Sequence, residues 1–143
     1  MKKLALFFLA IIIVISTISY IYLAYLDNYN KSQKENLKFE KYLSGEITGT
    51  DLATLINKAV DSNIQNNVEK DKIGKYIDNN ENSINIDIKF TDNDSTYNIE
   101  KIYNSGISKF FQYYSDIGFK CIKKEYHKKT NRIKYMLFEQ TTQ

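Results

Sequence analysis

The sequence predicts an α+β protein: an N-terminal transmembrane helix with a stalk, then a small antiparallel sheet of about four strands packed against two helices. Three observations predict this fold class. They are an uncharged apolar run near the start, two later stretches with helical spacing of apolar residues, and short stretches in which apolar and polar residues alternate. These features divide the chain into an anchor (residues 1–26), a helical stalk (residues 27–47) and an α+β domain (residues 48–143).

The apolar run begins at Leu4, ends at Leu26 and contains no charged residue. A helix rises ~1.5 Å per residue and a bilayer core is ~30 Å thick, so roughly 20 apolar residues are enough to span it. Tyrosines gather at the end of the run, where aromatic rings favour the membrane–water boundary; they are Tyr20, Tyr22, Tyr25 and Tyr29. We therefore expect residues 4–26 to contact the lipid bilayer as a single-pass anchor.

A cleaved secretory signal is the alternative interpretation of the same run. Residues 4–15 have the length of a signal-peptide apolar region, and Thr17 and Ser19 are small residues in front of a possible cleavage site. The run, however, stays apolar beyond that site, which favours a retained anchor.

The orientation of the anchor depends on the lysines around it. Lys2 and Lys3 precede the run and favour a cytoplasmic N-terminus, whereas Lys31, Lys34 and further lysines follow it and favour the opposite orientation. Because a very short basic segment before an apolar run usually behaves as a signal-anchor, we expect the domain to be extracytoplasmic and the protein to reside in the cell membrane.

The stalk is predicted to continue the membrane helix through polar, helix-tolerant residues until Ser44 and Gly45. A second helix is predicted to begin at Thr48 or Thr50, whose hydroxyl can accept from free backbone amides, with Asp51 at the positive end of the helix dipole. An apolar stripe at helical spacing supports this helix; its members are Leu52, Leu55, Ile56, Ala59 and Val60.

The remaining elements follow from shorter patterns. Residues 72–77 are predicted to form a short bent strand. Residues 84–88 alternate isoleucine with polar residues, which predicts a half-buried strand, and Thr96 and Tyr97 are expected to pair back with that strand. Residues 99–115 read as one helix with Gly106 in its middle, at a cost of up to about 1 kcal/mol relative to alanine. Residues 119–126 and 133–139 then form a predicted hairpin around a polar loop.

The composition argues against several function classes. Without Lys2 and Lys3 the chain has 18 basic residues, from 20 in total, against 17 acidic residues, a balance of +1. A nucleic-acid-binding domain normally has a clustered basic face, so we expect no nucleic-acid partner. One cysteine cannot form an intramolecular disulfide, so the domain must be stabilised by its apolar core.

No motif predicts a catalytic, cofactor or metal site. Cys121 and His127, six residues apart in a predicted strand, would lie ~20 Å from each other, too far for a catalytic dyad, and Cys121 reads as a core residue. Residues 78–82 resemble the start of a calcium loop, but the sixth and twelfth places hold Ser83 and Lys89 instead of glycine and glutamate. Residues 92–94 have Tyr103 at the twelfth place, so Asx-rich turns are the simpler interpretation of both segments.

The C-terminal hairpin is locally basic and contains interleaved tyrosines. Such a surface could contact anionic lipid, a teichoic-type polymer or nucleic acid, although a solvated outer face is the simpler interpretation. Its basic residues are Lys120, Lys123, Lys124, Lys128, Lys129, Arg132 and Lys134.

Three stretches carry a family resemblance: ITGTDLATLINKAVDSN, KYIDNNENSINIDI and YHKKTNRIKYMLFEQ. With them the chain resembles, over nearly its whole length, a group of uncharacterised single-span membrane proteins of clostridia-like, low-GC Gram-positive bacteria. The resemblance implies the source and the membrane location and no activity. The bias towards Lys, Asn and Ile, without Pro or Trp, is typical of an AT-rich genome.

The architecture is also similar to type IV pilins and pseudopilins, which join an apolar N-terminal helix to an antiparallel sheet. Those proteins have a glycine before a phenylalanine and a glutamate five residues into the mature helix, and residues 4–26 contain neither glycine nor glutamate. We expect a non-enzymatic, membrane-anchored extracytoplasmic domain that binds another envelope component, for example an envelope protein. A minor pilin-like subunit of a secretion, pilus or DNA-uptake machine is the alternative.

Overall fold

The computed structural model describes residues 2–92 and 94–141, with the backbone alone at residue 111. Its elements are α1 (Lys2–Glu40), β1 (Glu46–Thr48), α2 (Gly49–Gln65), β2 (Asn85–Phe90), β3 (Ser95–Asn98), α3 (Ile99–Ser105), α4 (Ile107–Tyr114), β4 (Gly118–Tyr126) and β5 (Ile133–Gln140). The α+β class is confirmed: a long apolar helix precedes a sheet packed with helices.

The sheet has five strands in the order β1-β4-β5-β2-β3 and is mixed, whereas the sequence predicts about four antiparallel strands. The fifth strand is β1, which pairs antiparallel with the start of β4. The parallel pair is β2 with β5, in a register that places Ile86 opposite Met136 and Ile88 opposite Phe138. Alternation in β2 predicts which face is buried, but it carries no information about the direction of the neighbouring strand.

Helix α1 is continuous through the predicted anchor and most of the predicted stalk. Its apolar part is exposed, whereas Ser32, Asn36 and Phe39 in its last turns are buried against the domain. The chain leaves the helix at Glu40, earlier than predicted, and Tyr42 enters the core. The end of the stalk segment is therefore packed into the domain, and its last residues form β1.

Helix α2 begins as predicted, because Thr48 is its N-cap and its hydroxyl accepts from the Asp51 amide at 3.2 Å. The predicted stripe is buried throughout. Gly49 permits a close approach: a Cβ atom there would lie 1.7 Å from the carbonyl oxygen of Tyr114. The amides of Gly49 and Thr50 donate to the carbonyls of Ile117 and Ser115, so the turn before β4 satisfies the first turn of α2.

Two predicted elements differ in the structure. The predicted helix over residues 99–115 is two helices, because Gly106 between them adopts φ +94°, a left-handed conformation that interrupts α-helix. The predicted strand over residues 72–77 is a turn closed by one bridge between Lys70 and Tyr76, with Gly74 also left-handed.

The other strands agree with the sequence: Tyr97 lies in β3, which pairs back on β2, and β4 and β5 form the predicted hairpin. In β2 every second residue is buried while those between them are half-buried, so one face of the sheet is covered. Helices α2 to α4 pack over that face and enclose the core with Phe39 and Tyr42 of the first segment.

Candidate functional site

The two parallel strands begin at the same end of the sheet, and a buried asparagine holds the start of each. Asn63 of α2 donates to the Ile84 carbonyl and accepts from the Ile84 amide, both at 2.8 Å. Asn36 of α1 donates to the Asn131 carbonyl and accepts from the Ile133 amide, also both at 2.8 Å. Each asparagine thus satisfies one backbone donor and one backbone acceptor, and three of these four hydrogen bonds are buried while the bond to the Asn131 carbonyl is partly buried.

Asn36 has a second consequence, because it fixes α1 to the β4–β5 hairpin. Next to it, Glu35 forms an ion pair with Arg132 at 3.3 Å. We call this end of the sheet, with residues 127–132 and the starts of β2 and β5, the hairpin end. The apolar part of α1 therefore projects from a helix whose last turns are anchored in the domain.

A polar crevice of about 450 Å³ lies between α1 and the hairpin loop. One wall consists of Tyr25, Asn28 and Tyr29, and residues 128–131 with Glu81 form the other. Lys129 pairs with Glu81, and Thr130 donates to the Glu81 carbonyl. These contacts join the hairpin loop to residues 78–83 and hold both loops beside α1.

The loop over residues 78–83 is a set of Asx turns, and its side-chain oxygens bond the backbone. Asp78 accepts from the Asn80 amide, and Asn79 accepts from the amides of Glu81, Asn82 and Ser83. Asp78 also pairs with Lys134. Burial opposes ionisation of Asp78, but the hydrogen bonds from Lys134, Asn80 and Ser83 outweigh it, and the pKa of this carboxyl is lowered.

His127 is the buried titratable group of the hairpin end. Its Nε2 lies 2.8 Å from the Ser83 carbonyl, which can only accept, so Nε2 carries the proton. Its Nδ1 has no hydrogen-bond partner among the described residues and lies 3.8 Å from Asp78. Burial lowers the pKa of His127, although the nearby Asp78 opposes the shift. The hydrogen bond from His127 to Ser83 joins the hairpin loop to the loop over residues 78–83.

The opposite end of the sheet, which we call the aromatic end, is built from Phe90, Phe110, Tyr114 and Phe119. The Phe90 ring centroid lies 4.6 Å from that of Tyr114 and 5.9 Å from that of Phe119, in tilted and edge-on arrangements. Burial, with nearby Asp92, raises the pKa of Tyr114. This cluster joins the ends of β2, α4 and β4.

An apolar groove of about 260 Å³ opens beside this cluster. Phe90, Tyr97, Phe110 and Tyr113 line it, with Lys101 and Lys109 on its rim. The Lys101 ammonium lies 4.0 Å from the Tyr97 ring centroid, and neither lysine forms an ion pair within the part of the chain that the structure describes. The groove can therefore accept an apolar side chain with an acidic group beside it.

The residues considered for catalysis lie apart in the fold. Cys121 is half-buried near the start of β4, and its thiol contacts the Lys123 carbonyl, whereas His127 follows the other end of that strand. Burial raises the pKa of the Cys121 thiol. Across residues 2–92 and 94–141 no three His, Cys, Asp or Glu side chains are grouped as a metal site would require. Part of the second acidic segment, residue 93, lies outside the described residues.

Sequence reasoning missed the two asparagines and the groove. Asn36 lies in a polar stretch of an asparagine-rich chain, so the residue type alone does not distinguish it. The one available signal is its spacing of three from Phe39, which places both residues on the same face of the helix. The lining of the groove comes from residues far apart in the chain, which no local pattern brings together.

Comparisons of the chain with protein-family models, with curated proteins and with solved structures find no match. Among the described residues, α1 is the one helix whose length and apolar composition are sufficient to cross a membrane, and its most apolar stretch has no residue buried in the domain. This property is compatible with a single-pass anchor in contact with a bilayer, and a signal sequence has it too.

Proposed function

We propose that this protein is a non-enzymatic, membrane-anchored extracytoplasmic domain that presents a binding surface to another component of the cell envelope. The observation that carries the proposal is the continuity of α1, which leaves the apolar stretch without a break and ends inside the domain core. A helix built in this way serves as a rigid mount for the domain, because bending it at Asn36 would break one buried and one partly buried hydrogen bond.

The surface we assign to the partner is the aromatic groove. Strand β4 runs from the aromatic end to the hairpin end over nine residues, a distance of roughly 30 Å. The groove therefore lies at the end of the sheet far from the membrane when the hairpin end lies beside the membrane. Its aromatic lining and its two lysines, neither of which has an acidic partner among the described residues, fit a protein partner that supplies an apolar side chain next to a carboxylate.

Topology is tested by cysteine labelling of intact cells. In a Cys121→Ser background, Ile73→Cys places a thiol at a position that is 86% exposed. We expect an impermeant maleimide to label it before lysis. The matched variant Leu4→Cys, at the other end of the apolar stretch, should react only after lysis. Labelling of Leu4→Cys alone on intact cells would reverse the orientation, and recovery of a soluble chain lacking residues 1–19 would refute anchoring.

The partner surface is tested by crosslinking in the native membrane. A photoreactive residue at Tyr113, which is 69% exposed on the groove, should capture one protein reproducibly, and Lys101→Glu with Lys109→Glu should abolish that product. The same photoreactive residue at Ile122, exposed on β4 outside the groove, is the control. Equal products from both positions would refute the groove as the binding site.

A minor pilin-like subunit is the second candidate function. The observation that favours it is again the long helix that continues from an apolar segment and whose last turns are buried against a domain that contains a sheet. Processing by a prepilin peptidase would remove more than Met1 from the N-terminus, whereas a simple anchor keeps Met1 or loses it alone. Sequencing the N-terminus of the protein from membranes separates the two candidates.

A further inference from the structure

We propose that the tip of the β4–β5 hairpin binds anionic phospholipid headgroups, with Lys128 as the contacting cation; this rests on the proposed membrane anchoring. The tip is residues 128–131, and it forms one wall of the polar crevice beside α1. The occupant is a headgroup of the same bilayer that α1 crosses.

The position of the tip follows from the continuous helix. The crevice wall on α1 contains Tyr25, Asn28 and Tyr29, which are the residues at which the apolar run ends. Tyr25 and Tyr29 are separated along the helix axis by about 6 Å, roughly the depth of a headgroup layer. Their rings stack with centroids 6.5 Å apart, on the side of α1 that borders the crevice. The hairpin tip therefore lies level with the lipid headgroups.

The charge of the tip favours an anion. Lys128 is exposed and forms no ion pair with any described residue, while its neighbour Lys129 is paired with Glu81. Other cations near the crevice are already paired: Lys31 with Asp27 at 2.7 Å, and Arg132 with Glu35. Of the described lysines that line the crevice, Lys128 is thus the one without an acidic partner, and a lysine near an anionic surface is attracted to it.

The tip is also held in place, which a binding site requires. Asn131 adopts φ +55° and its amide donates to the His127 carbonyl at 2.9 Å, closing the turn. Thr130 bonds the loop over residues 78–83, and Asn36 bonds the Asn131 carbonyl. Little conformational entropy is therefore lost when a headgroup enters the crevice.

Fluorescence quenching in reconstituted full-length protein tests the proposal. An environment-independent fluorophore is attached at Asn30→Cys, which is exposed on α1 beside the crevice but outside its wall, in a Cys121→Ser background inside phosphatidylcholine nanodiscs. A minor fraction of the lipid carries a nitroxide on its acyl chain, with either a phosphatidylglycerol or a phosphatidylcholine headgroup. We expect about two- to fivefold stronger quenching by the anionic lipid at low salt, and a smaller ratio at high salt because of screening.

Variants assign the effect to the tip. Lys128→Gln, which breaks no ion pair described here, should remove most of the preference, and Lys128→Gln with Lys129→Gln should bring the ratio to one. The matched control for the single variant is Lys120→Gln, which removes an exposed lysine at the other end of the sheet that has no ion-pair partner among the described residues; it should preserve the ratio. Equal quenching by both lipids in the unsubstituted protein would overturn the proposal. A separate fluorophore at Leu23→Cys reports on anchoring: if neither lipid quenches it, the proposed function itself fails.

Discussion

The two ends of the sheet are stabilised by different chemistry. The hairpin end is held by polar side chains that bond the backbone, above all Asn36 and Asn63, whereas the aromatic end is held by packed rings around Phe119. Long loops converge at the hairpin end, and their buried amides and carbonyls need partners. The aromatic end has short connections, so side-chain burial suffices there. One sheet is thus stabilised by side-chain-to-backbone hydrogen bonds at the end where loops converge, and by burial of apolar side chains at the end with short connections.

Truncating the side chain at the centre of the aromatic end should have the largest effect on the free energy of unfolding. Phe119 is fully buried among three rings, so Phe119→Ala is expected to lower the free energy of unfolding by about 4 kcal/mol. Chemical denaturation in detergent measures it. Tyr113→Ala, on the exposed side of the same region, should leave stability nearly unchanged. Equal losses in both variants would contradict the assignment of the cluster as core.

Removing the Asn36 side chain at the hairpin end should have the second largest effect on the free energy of unfolding. Asn36→Ala leaves the buried Ile133 amide and Asn131 carbonyl without a partner, at a cost of about 3 kcal/mol. Hydrogen exchange at the start of β5 should accelerate, while exchange at Phe119 should stay slow. Lys34→Ala, exposed on the same helix, is the control. Unchanged exchange at Ile133 would show that α1 does not hold the hairpin.

Acid should weaken the hairpin end alone. The pKa of His127 is lowered by burial in the folded protein, so below its ordinary pKa of 6.5 the unfolded chain binds the proton more readily. Stability is therefore present above that pH and is lost as pH falls towards the folded pKa. His127→Gln, which can still donate to Ser83, should remove this part of the pH dependence. An equally steep loss in the variant would assign the effect to another group.

Surface ion pairs should have the smallest effect. Lys89 and Glu139 lie 2.9 Å apart across β2 and β5, and their side chains are 41% and 33% exposed, so solvent screens their attraction. Lys89→Ala should leave the thermal midpoint unchanged at physiological salt. A clear decrease would mean that the outer face of the sheet contributes more than its exposure indicates.

The sequence predicts most of the elements, because their patterns are local. The isoleucines of β2, the stripe of α2 and the cap at Thr48 each follow from spacing within a few residues. The parallel pairing of β2 and β5 is not predictable in this way, because the paired residues are fifty positions apart and the alternation of buried residues is the same for either strand direction. Gly106 is ambiguous for a similar reason: a helix tolerates one glycine, and its left-handed conformation depends on how α3 and α4 pack.

The candidate surfaces were less predictable than the fold. The basic hairpin was visible in the sequence, but its place beside Tyr25 and Tyr29 depends on α1 docking through Asn36. Likewise, the groove needs Phe90, Tyr97 and Tyr113 from three elements. Local patterns identify which side chains are available, and only tertiary contacts show which of them meet.

The rigidity of the mount is tested most directly by a distance between the two sides of the Asn36 junction. Spin labels at Leu23→Cys and Tyr113→Cys, in a Cys121→Ser background in nanodiscs, should give one narrow distance distribution by double electron–electron resonance. Its centre should lie at roughly 45 Å, the sum of helix rise and strand length along the molecule. A broad or multimodal distribution would show that α1 is a flexible tether and would contradict a rigid connection between α1 and the domain.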